Sequence, residues 1–431
     1  MLESFVHNET SGSILLFGAA VAALAWANSP WSASYFALWK LPLQLGRRPL
    51  LSMDLHHWID DGLMVLFFLT VGLEIKREIV KGELSSVRQA ALPIVAALGG
   101  MILPALLYFT LNRSGPAARG WGIPMATDIG FAMGVLALLG KRIPSSLRVF
   151  MLALAIVDDV GAILVIAFFY TPAISLPALA AAAGLLVLLI AVATLQAPIS
   201  VYAVVGFFFW AAVLSSGVHA TIAGVILGLI APIKPRFRPE VLAENAEPLV
   251  ENFRNQILSR DKSSAEGALN ALDQLLRGTD SIAERLERTL HPWVCFLVLP
   301  LFALASAGVV LSTAQLKLAV SSPIALGIVL GLVVGKAVGI TAFSFLAVRL
   351  KFAGMSDGLT WAGISGVGIL AGVGFTVALF ISGLSFGDET LVATAKLAVL
   401  AASLAAGIIG YFYLRFSLRR NSYDRNPVRH S

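Results

Sequence analysis

The sequence predicts an all-α, polytopic membrane protein of about twelve transmembrane helices, and three observations carry that prediction. Of its 431 residues, 58% are hydrophobic and 13% charged, an apolar share above the ~45–50% of soluble domains. The apolar residues recur in blocks of about 17–25, the length that crosses a ~30 Å hydrocarbon core as a helix. Lysine and arginine collect at the ends of those blocks, where they orient membrane proteins rather than bind nucleic acid. Cys295 is the one cysteine, so no intramolecular disulfide framework or Cys-cluster metal site is available.

With Lys, Arg, Pro and turn-rich clusters as boundaries, the spans fall near 12–28, 58–75, 89–111, 121–139, 148–170, 177–195, 200–216, 218–232, 292–311, 323–348, 359–385 and 392–415. An acidic start, Met1 to Glu9, precedes the first, without a basic leader or small-residue cleavage site, so no cleaved signal peptide is expected. Twelve spans put both termini on one side. If that side is the cytoplasm, 23 Lys and Arg fall in inner segments and seven in outer ones, the bias of cytoplasmic termini. The chain 1–431 reads as a single transmembrane transporter domain. It carries an extended cytoplasmic connection at 234–288 between spans 8 and 9, and a basic cytoplasmic tail at 416–431. The connection has helix-like apolar spacing at Leu242, Leu249, Phe253 and Ile257, then at Leu269, Leu272, Leu275 and Leu276. No G-x-x-x-x-G-K-[ST] occurs, which argues against a Walker-type pump.

A charge at bilayer mid-depth costs at least ~2.5–3.5 kcal/mol on insertion scales, so each one needs a partner or a task. Asp158 lies ten residues into its span, ~15 Å deep at ~1.5 Å per residue. Asp159 is beside it, Asp128 is central in the preceding span, and Lys336 is central in span 10. If Lys336 pairs with one Asp, two carboxylates lack a fixed counterion, and a bound cation or bound protons remedy that. Repulsion between adjacent carboxylates favours protonation of one, and they titrate as a coupled pair. Carboxylates and the Thr127 hydroxyl suit a hard ion, sodium or lithium, held by Asp158 and Asp159. Thr127 has an alternative use in back-bonding within its own helix.

Two spans also look interrupted. Pro124 stands upstream of Asp128, and the stretch from Gly366 to Gly374 holds four glycines. Irregular backbone at membrane depth is tolerated only where it lines protein or a water-filled cavity. A pair of interrupted spans in corresponding places of two halves points to a transporter site built from inverted repeats, here spans 3–5 and 10–12. Asp128 and Lys336 are then suited to balance the exposed half-helix ends.

Four segments, Ala126-Thr-Asp-Ile-Gly-Phe131, Ala155-Ile-Val-Asp-Asp-Val-Gly-Ala162, Ser216-Gly-Val-His-Ala-Thr-Ile-Ala-Gly224 and Gly335-Lys336, strongly resemble the NhaA-type sodium/proton antiporters. The resemblance covers nearly the whole chain. It implies an inverted-repeat antiporter fold with crossed, broken helices 4 and 11. It also implies electrogenic exchange of one sodium or lithium for more than one proton across the bacterial inner membrane, in the service of pH homeostasis and salt tolerance, with no cofactor and no enzymatic reaction. Asp158 and Asp159 would carry the ion and protons, Lys336 would pair with Asp158, and Asp128 would balance the crossed helices. Gly72-Leu-Glu74-Ile-Lys-Arg77-Glu78 is similar to the family's pH-sensing helix end, and Leu290-His291-Pro-Trp293, with Glu287 and Arg288 before it, to its counterpart across the funnel mouth. The family pattern has a histidine where Arg288 stands. Read on their own, Glu74 and Glu78 beside Lys76 and Arg77 also suit a solvated helix end, and His219 suits packing between helices. Arg47-Arg48 is similar to an external hairpin that mediates homodimerisation in the family.

Two other readings use some of the same residues. A sodium-coupled symporter on this plan would also need buried carboxylates, and uptake of organic solutes separates it. An intramembrane aspartyl protease would share a proton between two buried Asp, but no Gly-x-Gly-Asp occurs.

Overall fold

The computed structural model describes residues 9–44, 52–171, 174–195, 197–233 and 281–424, with a few positions between 247 and 267. Helix α1 (Glu9–Ala27) turns by 118° into the short α2 (Ser32–Trp39). Ser29-Pro30 lies at the turn, since the residue before proline is pushed out of the helical region. The sequence reading passed over α2. A two-stranded antiparallel hairpin follows, β1 (Pro42–Gln44) against β2 (Ser52–Asp54), with Pro42 opposite Asp54. Arg47 and Arg48 lie outside the described residues. The turn Leu55–Trp58, capped by Asp54, runs through a π-turn at Ile59–Leu63 into α3 (Met64–Lys81).

Next come α4 (Val87–Leu111), a 3₁₀ stretch at Pro116–Met125 bent by 41° from α5 (Ile129–Leu138), and α6 (Ser145–Phe169). Helices α7 (Leu176–Thr194), α8 (Ile199–Ser215) and α9 (Ala220–Ile230) follow. The expected helices of 234–288 fall mostly outside the described residues, although α10 (Ile282–Ser306) begins inside that segment. A capping box starts α10: the Ser281 hydroxyl accepts from Glu284 N–H, and the Glu284 carboxylate accepts from Ser281 N–H. The chain then forms a short α11 (Thr313–Ser321) and a long α12 (Pro323–Arg349). It ends with α13 (Trp361–Leu370), bent by 47° from α14 (Phe375–Ser385), and α15 (Glu389–Asp424). The tail expected at 416–431 is therefore helical as far as Asp424.

Six of these helices are long and apolar enough to cross a membrane, or nine spans if each bent pair is one crossing. The expected count of twelve requires adding α3, whose last turns carry charge, and the shorter apolar α8 and α9. Packing divides the described helices around three cores. One joins α4, α5, α6, α12, α13 and α15, through Leu154, Ile340, Val367 and Leu414. Another joins α3, α7, α8, α9 and α10. The third, with Phe68, Phe302 and Phe380, ties α1 and α10 to the bent pairs. Without water, apolar area does not drive helices together, so close backbone approach matters more. Helices α3 and α9 show it: a Cβ on Gly228 would sit 2.6 Å from the Leu69 carbonyl oxygen.

Candidate functional site

The bent pairs that end in α5 and in α14 meet at their breaks, and Asp128 joins them. It is the N-cap of α5, with Oδ1 accepting from Phe131 N–H at 2.9 Å. Its other oxygen, Oδ2, accepts from Thr376 N–H at 3.1 Å and from the Thr376 hydroxyl at 2.6 Å, in the first turn of α14. Its own N–H donates to the Val373 carbonyl at 2.7 Å. One carboxylate thus caps two half-helices, each N-terminus worth roughly half a positive charge. Sequence reasoning missed Thr376, although it closes the glycine-rich stretch. It also missed Ser403 of α15, whose hydroxyl accepts from Phe375 N–H at 3.1 Å.

Beside this junction, α6 presents Asp158 and α12 presents Lys336 where the helix leaves a π-turn at Leu330–Gly335. Both side chains are fully buried. The ammonium donates to Asp158 Oδ2 at 2.5 Å and to the Thr127 oxygen at 2.9 Å. Thr127 Oγ1 lies 2.7 Å from Asp158 Oδ2 and 2.9 Å from the Ala371 carbonyl oxygen at the second break. A hydroxyl has one proton, so it donates to one of these acceptors at a time. Thr127 lies in the break between the 3₁₀ stretch and α5, and its bonds run to α6, α12 and the end of α13 rather than back within a helix. Lys336 consequently reaches the end of α13 through Thr127.

The remaining polar atoms are undersupplied. Asp158 Oδ1 is buried without a hydrogen-bond partner among the described residues. Asp159 is 4% exposed and forms no hydrogen bond among the described residues, and the charges acting on it are Glu74, Asp158, Asp128 and Lys336. Two carboxylates therefore share one ammonium, with several acceptor positions open.

The second group of expected residues also comes together, where α3 meets the start of α10. Arg77 hydrogen-bonds Glu287 and lies 3.6 Å from Glu78 and 3.9 Å from Glu74. Lys81 pairs with Glu284 at 2.7 Å, a residue the sequence reading did not single out. Burial pushes Glu287 above its ordinary range, with Arg77 and His291 opposing and Glu284 and Glu78 adding to the shift. Burial also works against Glu284, but hydrogen bonds from Lys81 and Ser281 and the Lys81 charge hold it below its ordinary range. His291, one turn beyond Glu287, has its ring 3.6 Å from Cys295 Sγ. His219 lies apart, its Nε2 2.8 Å from the Tyr170 carbonyl oxygen.

Apolar helices carrying a buried, charged cluster at two facing breaks define a multi-pass membrane transporter. The family profile of Na+/H+ antiporter 1 matches residues 3–414, and the chain belongs to that family. It is 48% identical over 422 residues to the Na(+)/H(+) antiporter NhaA 2 of Sorangium cellulosum, covering 97% of this chain and 90% of that one. It is 46% identical over 426 residues to the Na(+)/H(+) antiporter NhaA 2 of Syntrophotalea carbinolica, covering 98% and 97%. A solved structure of the sodium proton antiporter MjNhaP1 from Methanocaldococcus jannaschii at pH 8 matches with a TM-score of 0.53 at 11% identity, over 95% of this chain and 92% of that one. That likeness is one of fold.

Proposed function

We propose that this chain is an electrogenic antiporter of the bacterial inner membrane that exports sodium or lithium in exchange for protons, by alternating access around Asp158 and Asp159. One observation carries the reading: Asp158 Oδ1 stands buried without a hydrogen-bond partner among the described residues, next to the buried Asp159, while the ammonium beside them is already engaged by Asp158 Oδ2. Lys336 offsets the charge of Asp158, and the N-termini of α5 and α14 offset that of Asp128. Asp159 is left without a fixed counterion, which a hard cation or a proton supplies. Sodium and protons then exclude each other from the same oxygens. If up to two protons replace one sodium, each cycle moves net charge. Asp128 holds the crossed breaks together, and Thr127 ties the Asp158–Lys336 pair to the second break.

The cluster of Glu74, Arg77, Glu78, Glu287 and His291 suits a cytoplasmic control point, because a change in the charge of Glu287 alters the Arg77 contact that joins α3 to α10. The hairpin of β1 and β2 suits contact between two copies in a homodimer, and both termini are assigned to the cytoplasm by the charge bias. The test is proton flux driven by a sodium gradient in sealed vesicles, with the membrane potential clamped. Wild-type protein should move protons and charge, whereas Asp158→Asn and Asp159→Asn should insert but exchange nothing. Silent wild-type vesicles, or normal exchange by either variant, would overturn the assignment.

A further inference from the structure

A crevice of about 560 Å³ opens between α1, α11, the start of α12, and α15. Its walls include Phe17, Leu316, Leu326 and Leu404, each about half exposed, and its depth reaches Phe131 and Phe375. Those two rings pack together at 5.8 Å between centroids. Ser403 supplies the one polar side chain among the described lining residues, and its hydroxyl already accepts from Phe375 N–H. No polar group there awaits a polar ligand, so the occupant is apolar.

The stretch of α15 that lines it, 397–404, is seven steps long, ~10 Å at ~1.5 Å per residue. A flexible hydrocarbon chain suits a crevice of that length whose lining is apolar and half exposed. At the mouth, α11 exposes Leu316, Leu318 and Val320 with Lys317 exposed among them, the pattern of a helix lying in the membrane interface. An ammonium there complements a lipid phosphate, with its stem along the apolar surface.

We propose that this crevice seats one acyl chain of a phospholipid whose phosphate is held by Lys317. The chain tail packs on Phe131 and Phe375, in the first turns of the two half-helices that meet at Asp128, so filling the crevice supports the junction. Any effect on ion exchange rests on the function proposed above, but binding itself is read separately.

The experiment uses the full chain reconstituted in vesicles containing a phospholipid with a photoreactive acyl chain, followed by peptide mapping. Wild-type protein should be labelled within 17–24 and 397–404. Ala401→Trp, which places bulk in the crevice from an exposed position, and Leu316→Trp at its mouth should each lower that label at least fivefold. Lys317→Gln should lower it about threefold, with zwitterionic or anionic headgroups alike. Thermal unfolding of each variant identifies one that does not fold, and the other tryptophan variant then decides. Label unchanged in the folded variants, spread evenly over lipid-facing helices, or replaced by crosslinks between two copies overturns the proposal. Sodium-driven flux in the same vesicles reports on exchange independently, so failure of one reading is distinguishable from failure of the other.

Discussion

Replacing Lys336 by alanine tests whether its pairing with Asp158 is structural. Both side chains are fully buried, and the ammonium supplies Asp158 Oδ2 at 2.5 Å while Oδ1 has no partner among the described residues. Without the lysine, the Thr127 hydroxyl is the remaining donor to the carboxylate. Removing one member of a buried pair costs about 3–5 kcal/mol, roughly two to nearly four decades in the unfolding equilibrium. Denaturant unfolding of the purified protein in micelles at alkaline pH should show that loss. It should shrink at a pH low enough to protonate Asp158, because the cost is that of a stranded charge. The double variant Asp158→Asn/Lys336→Met should recover most of the stability, since replacing both members of a buried pair is often close to neutral. Strict additivity of the single changes, or a Lys336→Ala protein as stable as wild type at alkaline pH, would refute the reasoning.

Other outcomes follow from the same geometry. Thr127→Val removes a hydroxyl that contacts Lys336, Asp158 and Ala371, and should cost about 1.5–3 kcal/mol, the range of hydrogen bonds to charged groups. Thr127→Ser should recover most of that in the same unfolding assay, and a Val variant at wild-type stability would contradict the network. At the cytoplasmic cluster, Glu287 is held above its ordinary 4.5 by burial. Its contribution is therefore fully present below 4.5 and is lost as pH rises through its raised value. Glu284 runs the opposite way: its contribution is present above 4.5 and lost as pH falls through its depressed value. Thermal midpoints against pH should thus lose their decline above 4.5 in Glu287→Gln, and their fall at acid pH in Glu284→Gln. Unchanged profiles would show that neither contact links stability to pH.

The helical blocks were legible because a bilayer accepts little else, and both breaks were legible as Pro124 ahead of Asp128 and as glycines between 366 and 374. Asp158 and Lys336 stood out because mid-depth charge is expensive. What the sequence concealed is tertiary. Nothing local announces that Asp128 and Ser403 cap the second half-helix at Thr376 and Phe375, or that Arg77 reaches Glu287, 210 residues away. The π-turn before Lys336 has no clear residue signature. Ser29-Pro30 ends the first apolar block and equally marks the turn into α2, so the sequence there does not distinguish a loop from a second short helix.

The central claim is that sodium and protons compete for Asp158 and Asp159, and the half-saturation constant for sodium measured against pH tests it most directly. If one sodium is displaced by up to two protons, that constant follows K(1 + [H]/K1 + [H]²/K1K2), with K1 and K2 the acid constants of the pair. It should rise about tenfold per pH unit once the first proton binds and up to about a hundredfold once both do. Saturating sodium should restore the maximal rate unless the cluster around Glu287 also gates transport, in which case the rate falls independently. A half-saturation constant that stays flat across the range where exchange turns on would contradict the account, because protons and sodium would not be displacing each other.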